Sequence, residues 1–310
     1  MQAAEARRVL LLGATGTIGR AVLTGLRVRG HAVTCLTRPP GGALPQSAAL
    51  DRVMARGRFD AVLSCMASRS GAPDDARAVD HDAHLAVLRA AQAAGVWQFV
   101  LLSAICVQKP LLTFQQAKLD FEAALMTSGL CWSIVRPTAY FKSLSGQIAR
   151  VRAGRPYLIF GDGRGTACKP ISDGDLAAYL VECLHREDRW NRVLPIGGPG
   201  PAITPREMGE ELFRLTGQAP RFRSVPPGLM DAIVAGLSLA GRVSGRLAAK
   251  AELARIGRYY STESMLVWDA AAGRYDAAAT PETGSERLFD YYAAVLRGEA
   301  SAERGEHAVF

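Results

Sequence analysis

Twelve residues near the N-terminus, Val9-Leu10-Leu11-Leu12-Gly13-Ala14-Thr15-Gly16-Thr17-Ile18-Gly19-Arg20, limit the fold more than any others. An apolar run too short for most helices enters glycines at 13, 16 and 19, and a helical pattern follows to residue 29, where Gly30 fits a helix stop. That is the layout of the first strand–turn–helix of a dinucleotide-binding fold. Gly13 lets the chain turn off the strand end, Gly16 admits a pyrophosphate close to the backbone, and Gly19 lets the helix pack on the sheet. Unpaired N–H groups at the helix start favour phosphate oxygens. Thr15, Thr17 and Ile18 complete the expected cofactor loop. A tight turn without a ligand would use the same spacing, so the downstream residues carry the decision.

Strand-like and helix-like stretches alternate from residue 9 to about 160, the pattern of a parallel sheet covered by helices on both faces. Strands are expected at 9–12, 31–36, 60–66, 97–105, 131–135 and 193–196, and helices at 81–94, 114–128 and 171–184. The fold class is therefore α/β, a Rossmann-like doubly wound parallel sheet with a smaller C-terminal substrate-binding region. Between residues 38 and 59, where such folds hold a third strand, only Pro/Gly-rich sequence and a short helix at 50–56 are legible. The division is 1–160 for cofactor binding, 161–295 for a substrate region interleaved with the core, and 296–310 for a polar tail. In the second region Thr204-Pro205-Arg206-Glu207 has the marks of a helix start. Residues 229–240 read as an apolar helix, followed by Arg242, Arg246 and Lys250, four apart on one expected helix.

At 310 residues the chain can bury a large core without disulfide staples, and its six cysteines form no CxxC pair. Scattered thiols in apolar runs suit a reducing, cytoplasmic setting. The cysteines and five histidines lack ligand spacing, so no metal site is expected. A formal net charge of +8 points to anionic partners: a phosphorylated cofactor, a carboxylate substrate or acidic lipid headgroups. Nucleic acid is not among them, because no dense basic run is interleaved with aromatics. No run of 18 apolar residues exists, so membrane contact is expected to be peripheral. The basic stretch after residue 240 suits either an acidic membrane surface or a solvated helix face.

Arg38 ends the second strand where NAD-binding versions of the fold carry an acid for the ribose 2′-hydroxyl, and no acid stands between His31 and Arg38. A guanidinium there suits a 2′-phosphate, hence NADPH. Cys65 and Ala67 lie at the ligand side of the third strand, as small residues beside a cofactor or as plain core. Ser103 ends the next strand and Lys118 sits in the helix after it, with Phe114 one turn earlier on the same face. In short-chain dehydrogenase/reductases a serine and a Tyr-x-x-x-Lys occupy these places. Phe114 takes the tyrosine position and has no proton to donate. Arg136-Pro137-Thr138 then ends a strand where that superfamily sets backbone beside the nicotinamide.

Assembled, the chain resembles an atypical short-chain dehydrogenase/reductase, and more closely the NADPH-dependent divinyl chlorophyllide a 8-vinyl-reductase family. The resemblance rests on Phe99-Val100-Leu101-Leu102-Ser103-Ala104-Ile105-Cys106-Val107-Gln108-Lys109-Pro110, on Phe114 to Lys118, on Ser133-Ile134-Val135-Arg136-Pro137-Thr138-Ala139, on Cys168-Lys169-Pro170-Ile171-Ser172 and on Ile256-Gly257-Arg258-Tyr259-Tyr260. It implies reduction of an 8-vinyl group on a chlorophyllide or protochlorophyllide to ethyl, in chlorophyll or bacteriochlorophyll synthesis, at or near a photosynthetic membrane. A vinyl group conjugated to a macrocycle needs no hydroxyl acid polarising a carbonyl, which fits Phe114. The required proton would come from Lys118, from a hydroxyl such as Tyr140, or from water. Ser103 completes the catalytic set. Phe141, Tyr259 and Tyr260 are expected to wall the tetrapyrrole, with Lys142, Lys169 and Arg258 near its propionate. Two other readings share these residues: an atypical reductase of another conjugated substrate, and a non-catalytic NADP(H)-binding sensor or assembly factor.

Overall fold

A computed structural model describes residues 5–37, 47–69, 71–242 and 244–301. In chain order the elements are β1 (Arg8–Leu12), α1 (Thr17–Val28), β2 (Ala32–Leu36), α2 (Ser47–Gly57), β3 (Ala61–Ser64), α3 (Pro73–Ala76), a π-helical segment Arg77–Ala83, α4 (His84–Ala93), β4 (Gln98–Leu102), α5 (Thr113–Met126) and β5 (Cys131–Pro137). There follow α6 (Phe141–Leu144), α7 (Ile148–Arg152), β6 (Tyr157–Phe160), α8 (Asp173–Glu182), β7 (Arg192–Ile196), α9 (Pro205–Thr216), β8 (Phe222–Val225), α10 (Pro227–Gly241), α11 (Gly245–Thr262), β9 (Val267–Asp269), β10 (Arg274–Asp276) and α12 (Leu288–Arg297).

Six strands form one parallel sheet in the order β2-β1-β3-β4-β5-β7. Alternation along each strand sends side chains to two cores. Val9, Leu11, Leu63 and Val100 meet α1 and α8 through Val22, Leu26, Leu176 and Leu180. Leu10, Leu12, Val62 and Phe99 meet α2, α4 and α5 through Met54, Val87 and Phe121. Because both faces are covered, these strands are continuous apolar runs, which is why they are legible in the sequence. Among the described residues the sheet ends at β2, and α2 is the element described between β2 and β3. β7 and α8 return to this sheet from beyond residue 160.

A third core holds the remaining segments together, with Tyr157, Leu212, Phe213, Tyr259 and Tyr292 buried in it. β6 and β8 pair as a small parallel ribbon, which the sequence does not announce because each is four residues long. Thr204 and Glu207 form the expected capping box of α9, with Pro205 in its first turn. One expectation is corrected: Arg242 caps α10 while Arg246 and Lys250 belong to α11, so the three do not share a helix. Among the described residues no helix is long and apolar enough to cross a membrane.

Candidate active site

The glycine loop is built as its spacing requires. Gly13 has φ +74°, and a Cβ there would lie 2.6 Å from the Cys65 carbonyl, so the loop presses against the end of β3. A Cβ at Gly19 would lie 2.0 Å from the Gly13 oxygen. Gly16 differs: its nearest neighbour is that same oxygen at 3.4 Å, and it caps α1 without a side-chain hydrogen bond. Omitting that Cβ leaves room for a ligand rather than for packing. No acid stands in the first turn of α1, and Lys142 Nζ lies 3.1 Å from Thr17 Oγ1. Arg20 braces the loop from below through the Thr15 carbonyl at 2.8 Å. Open backbone donors, a helix N-terminus and a nearby ammonium fit a pyrophosphate. The loop meets β3 where strands to either side of β1 diverge, the place where this architecture binds ligands. Arg38 lies outside the described residues.

From this crevice a cavity of about 400 Å³ runs between the sheet and the segments after residue 160. Cys65, Ala67, Ser103, Phe114, Lys118, Pro137, Thr138 and Tyr140 all line it, so residues spread over 76 positions of sequence converge on one wall. The far wall includes Ile159, Met208, Ile256, Tyr260 and Met265. Only Lys118 and Glu263 are charged among the described lining residues, and each is paired: Lys118 Nζ to Asp80 Oδ1, and Lys109 Nζ to Glu263 Oε2, both at 2.8 Å. The interior is thus apolar and electrically balanced, suited to a largely apolar ligand. Burial pushes the Cys65 and Cys168 thiols up to about 12, so both stay protonated.

Asp80 is the functional residue that sequence reasoning missed. The π segment between α3 and α4 turns it inward, 1% exposed, where it receives Lys118 and, at 2.6 Å, the Ser68 hydroxyl. π segments often mark functional positions. Burial pushes the Asp80 carboxyl up, but the charge and hydrogen bond of Lys118, with the Ser68 hydroxyl, outweigh it and hold the group below the ordinary carboxylate range. Asp80 therefore stays ionised and holds the Lys118 side chain in place. That partner uses one of three N–H bonds on Nζ.

Ser103 is engaged differently from a proton donor. Its hydroxyl donates to Glu122 Oε1 at 2.5 Å, and the wholly buried Glu122 also receives the Arg136 guanidinium. Ser103, Glu122 and Arg136 thus brace β4, α5 and β5 behind the cavity. The Tyr140 hydroxyl has no hydrogen-bond partner among the described residues, and burial raises it well above the usual phenol range, so it keeps its proton. The Thr138 hydroxyl donates to the Lys169 carbonyl.

Five expected substrate contacts do not line the cavity. Phe141 is buried with its ring 5.5 Å from that of Tyr291. Lys142 stands at the glycine loop instead. Lys169, 6% exposed, bonds Glu282 Oε1 at 2.5 Å and the Thr280 carbonyl. Arg258 pairs with Asp231, and the Tyr259 hydroxyl donates to the Cys106 carbonyl at 2.9 Å. Tyr260, beside it, does face the cavity, with its hydroxyl 4.0 Å from Cys106 Sγ.

Comparison with known proteins agrees with this geometry. Residues 13–187 match a family described as NAD(P)H-binding. The divinyl chlorophyllide a 8-vinyl-reductase of rice chloroplasts (Oryza sativa subsp. indica) is 45% identical over 97% of this chain and 82% of its own length. The chain belongs to the divinyl chlorophyllide a 8-vinyl-reductase family. It is an NAD(P)H-dependent oxidoreductase with a Rossmann-like fold. More distantly, the photosystem II assembly factor Ycf39 of Synechocystis is 24% identical over 72% of each chain. Among solved structures, AtPrR2 with NADP+ and (+)pinoresinol superposes with a TM-score of 0.68 over 94% of this chain and 99% of that one, at 16% identity, a likeness of fold.

Proposed function

We propose that the protein reduces the 8-vinyl group of divinyl chlorophyllide a, or of divinyl protochlorophyllide a, to ethyl with NADPH in chlorophyll or bacteriochlorophyll synthesis. The observation that carries the reading is the wall where Phe114 and Lys118 face one apolar cavity beside the glycine loop. Carbonyl reduction on this fold relies on the hydroxyl that Phe114 lacks, whereas a conjugated vinyl group passes charge into its ring.

NADPH, when bound, supplies a hydride to the vinyl carbon. Gly16, Thr17 and Lys142 would hold its pyrophosphate, and Pro137 and Thr138 would meet its nicotinamide end. Lys118, oriented by Asp80 and Ser68, binds the nicotinamide ribose and delivers a proton from Nζ to the second vinyl carbon. The Tyr140 hydroxyl, which lines the same cavity and keeps its proton, is the alternative source. Arg38 supports NADPH over NADH, because the segment from His31 to Arg38 has no acid to accept a 2′-hydroxyl. The setting we assign is the reducing cytoplasmic side of a photosynthetic membrane, with peripheral contact.

The test is purified protein with NADPH and divinyl chlorophyllide a, with the pigment separated by chromatography. Conversion to the monovinyl pigment is expected, reduced strongly in Lys118→Ala and little in Tyr140→Phe. Tight NADPH binding without conversion would favour a non-catalytic role of the kind named for Ycf39.

A further inference from the structure

Helix α10 has no ordinary place in a water-soluble surface. Its sequence, PGLMDAIVAGLSLAG, is apolar on nearly every side, yet none of its described residues is buried. An all-round apolar helix normally lies inside a core or a membrane. Asp231, its single acid, is neutralised by Arg258 of α11, and Ser238 receives Arg255 at 2.8 Å. These two bonds fix which side of α10 faces α11. Leu229, Ile233 and Leu239 stay exposed by 50%, 40% and 65%, together spanning about a third of the helix circumference.

Basic residues flank this helix along the chain. Residues 221 to 262 contain seven basic and two acidic side chains, in a chain of net charge +8. Arg221 and Arg223 precede the helix, and Arg242 and Lys250 follow it, all exposed. From this combination we infer that α10 lies in the headgroup region of an anionic bilayer, its leucine face inserted and its basic flanks on acidic lipids.

Two features select a bilayer over a second copy of the chain. Fifteen residues span about 22 Å, and the open arc is about one helix diameter wide, so the patch is far below the roughly 800 Å² per partner that a stable protein interface needs. Apposed copies would also set two cationic rims against each other. The same length is too short to cross about 30 Å of hydrocarbon. The inner side of α11 lines the cavity through Ile256, Gly257 and Tyr260, so the docked hairpin sets the cavity beside the lipid. That placement rests on the reading of an amphiphilic chlorophyllide as substrate, which would then enter from the membrane; the docking itself does not.

Flotation with vesicles of phosphatidylcholine alone, or with added phosphatidylglycerol, tests docking without any turnover. The full chain is expected to float with the anionic vesicles, less with the neutral ones, and progressively less as salt is raised. Leu229→Ser/Ile233→Ser/Leu239→Ser should partition at least about tenfold more weakly, with unchanged Tm and unchanged reduction of detergent-dispersed pigment. The single variant Leu239→Ser changes the most exposed of the three and repeats the test without touching the α10–α11 contact. Equal partition of these variants, or no binding of the unaltered protein to anionic vesicles, would overturn the inference. So would a dimer that the triple variant loses, which would assign the face to a second copy. Vesicle binding without pigment reduction would leave docking in place and count only against the proposed reaction.

Discussion

Replacing Asp80 by Asn tests the arrangement that sets Lys118. The carboxylate is 1% exposed and the Lys118 side chain 12%, so the pair is held well away from water. Removing one member of such a pair strands the other charge, at a cost of about 3 kcal/mol. For a chain of this size that corresponds to roughly 5 °C in Tm. Asp80→Asn keeps the shape and can still accept from the Ser68 hydroxyl, so the loss reports the charge. Lys118→Met alone strands the carboxylate, and the double variant strands neither. Urea unfolding of the four proteins should therefore give a coupling energy of at least about 1.5 kcal/mol, the double variant being less damaged than the singles predict. The pH dependence has a definite sign. Because the native carboxyl lies below its ordinary value of 3.8, its stabilisation is present above that value and is lost as pH falls through the native one. Asp80→Asn should flatten that acid limb. Additive costs, or a loss no larger than the roughly 0.5 kcal/mol of a surface substitution, would refute the pairing.

Three further substitutions have definite expected outcomes. Gly19→Ala puts a Cβ 2.0 Å from the Gly13 oxygen, so isothermal titration should find NADPH affinity reduced by about a hundredfold or more as the loop is displaced. Ser103→Ala removes one partner from the buried Glu122 and should cost about 1–3 kcal/mol in unfolding while kcat changes little; a large fall in kcat at unchanged stability would return Ser103 to the proton path. Arg38→Ala should lower the preference for NADPH over NADH in kcat/KM by at least about tenfold, the weight of one charge-assisted contact to phosphate; an unchanged preference would remove the 2′-phosphate argument.

Much of the cofactor half was legible because its signals are local. The run Val9–Leu12 enters the glycines directly, and each buried parallel strand is an unbroken apolar stretch. Lys118 and Phe114 were also legible, since four residues in a helix bring both to one face. The lack of strand pattern between residues 38 and 59 agrees with a sheet that, among the described residues, ends at β2. Partners distant in sequence were not legible. Asp80 reaches Lys118 across 38 residues from a π segment that no periodicity foretells. Lys169 reads as a free cation beside Pro170, yet Glu282, 113 residues away, ties it down. Arg258 looks available until the α10–α11 hairpin brings Asp231 beside it. Of the adjacent tyrosines 259 and 260 only the second faces the cavity, a choice set by how α11 rotates against the third core.

The central claim is that hydride passes from a nicotinamide beside the Gly13–Gly19 loop to a vinyl carbon over the Phe114–Lys118 wall. NADPH carrying deuterium at the transferable position, incubated with the protein and divinyl chlorophyllide a in water, tests it directly by mass spectrometry and NMR of the pigment. The predicted product carries one deuterium in its 8-ethyl group and one hydrogen from solvent. Unlabelled monovinyl product, label elsewhere on the macrocycle, or no monovinyl pigment at all would contradict it.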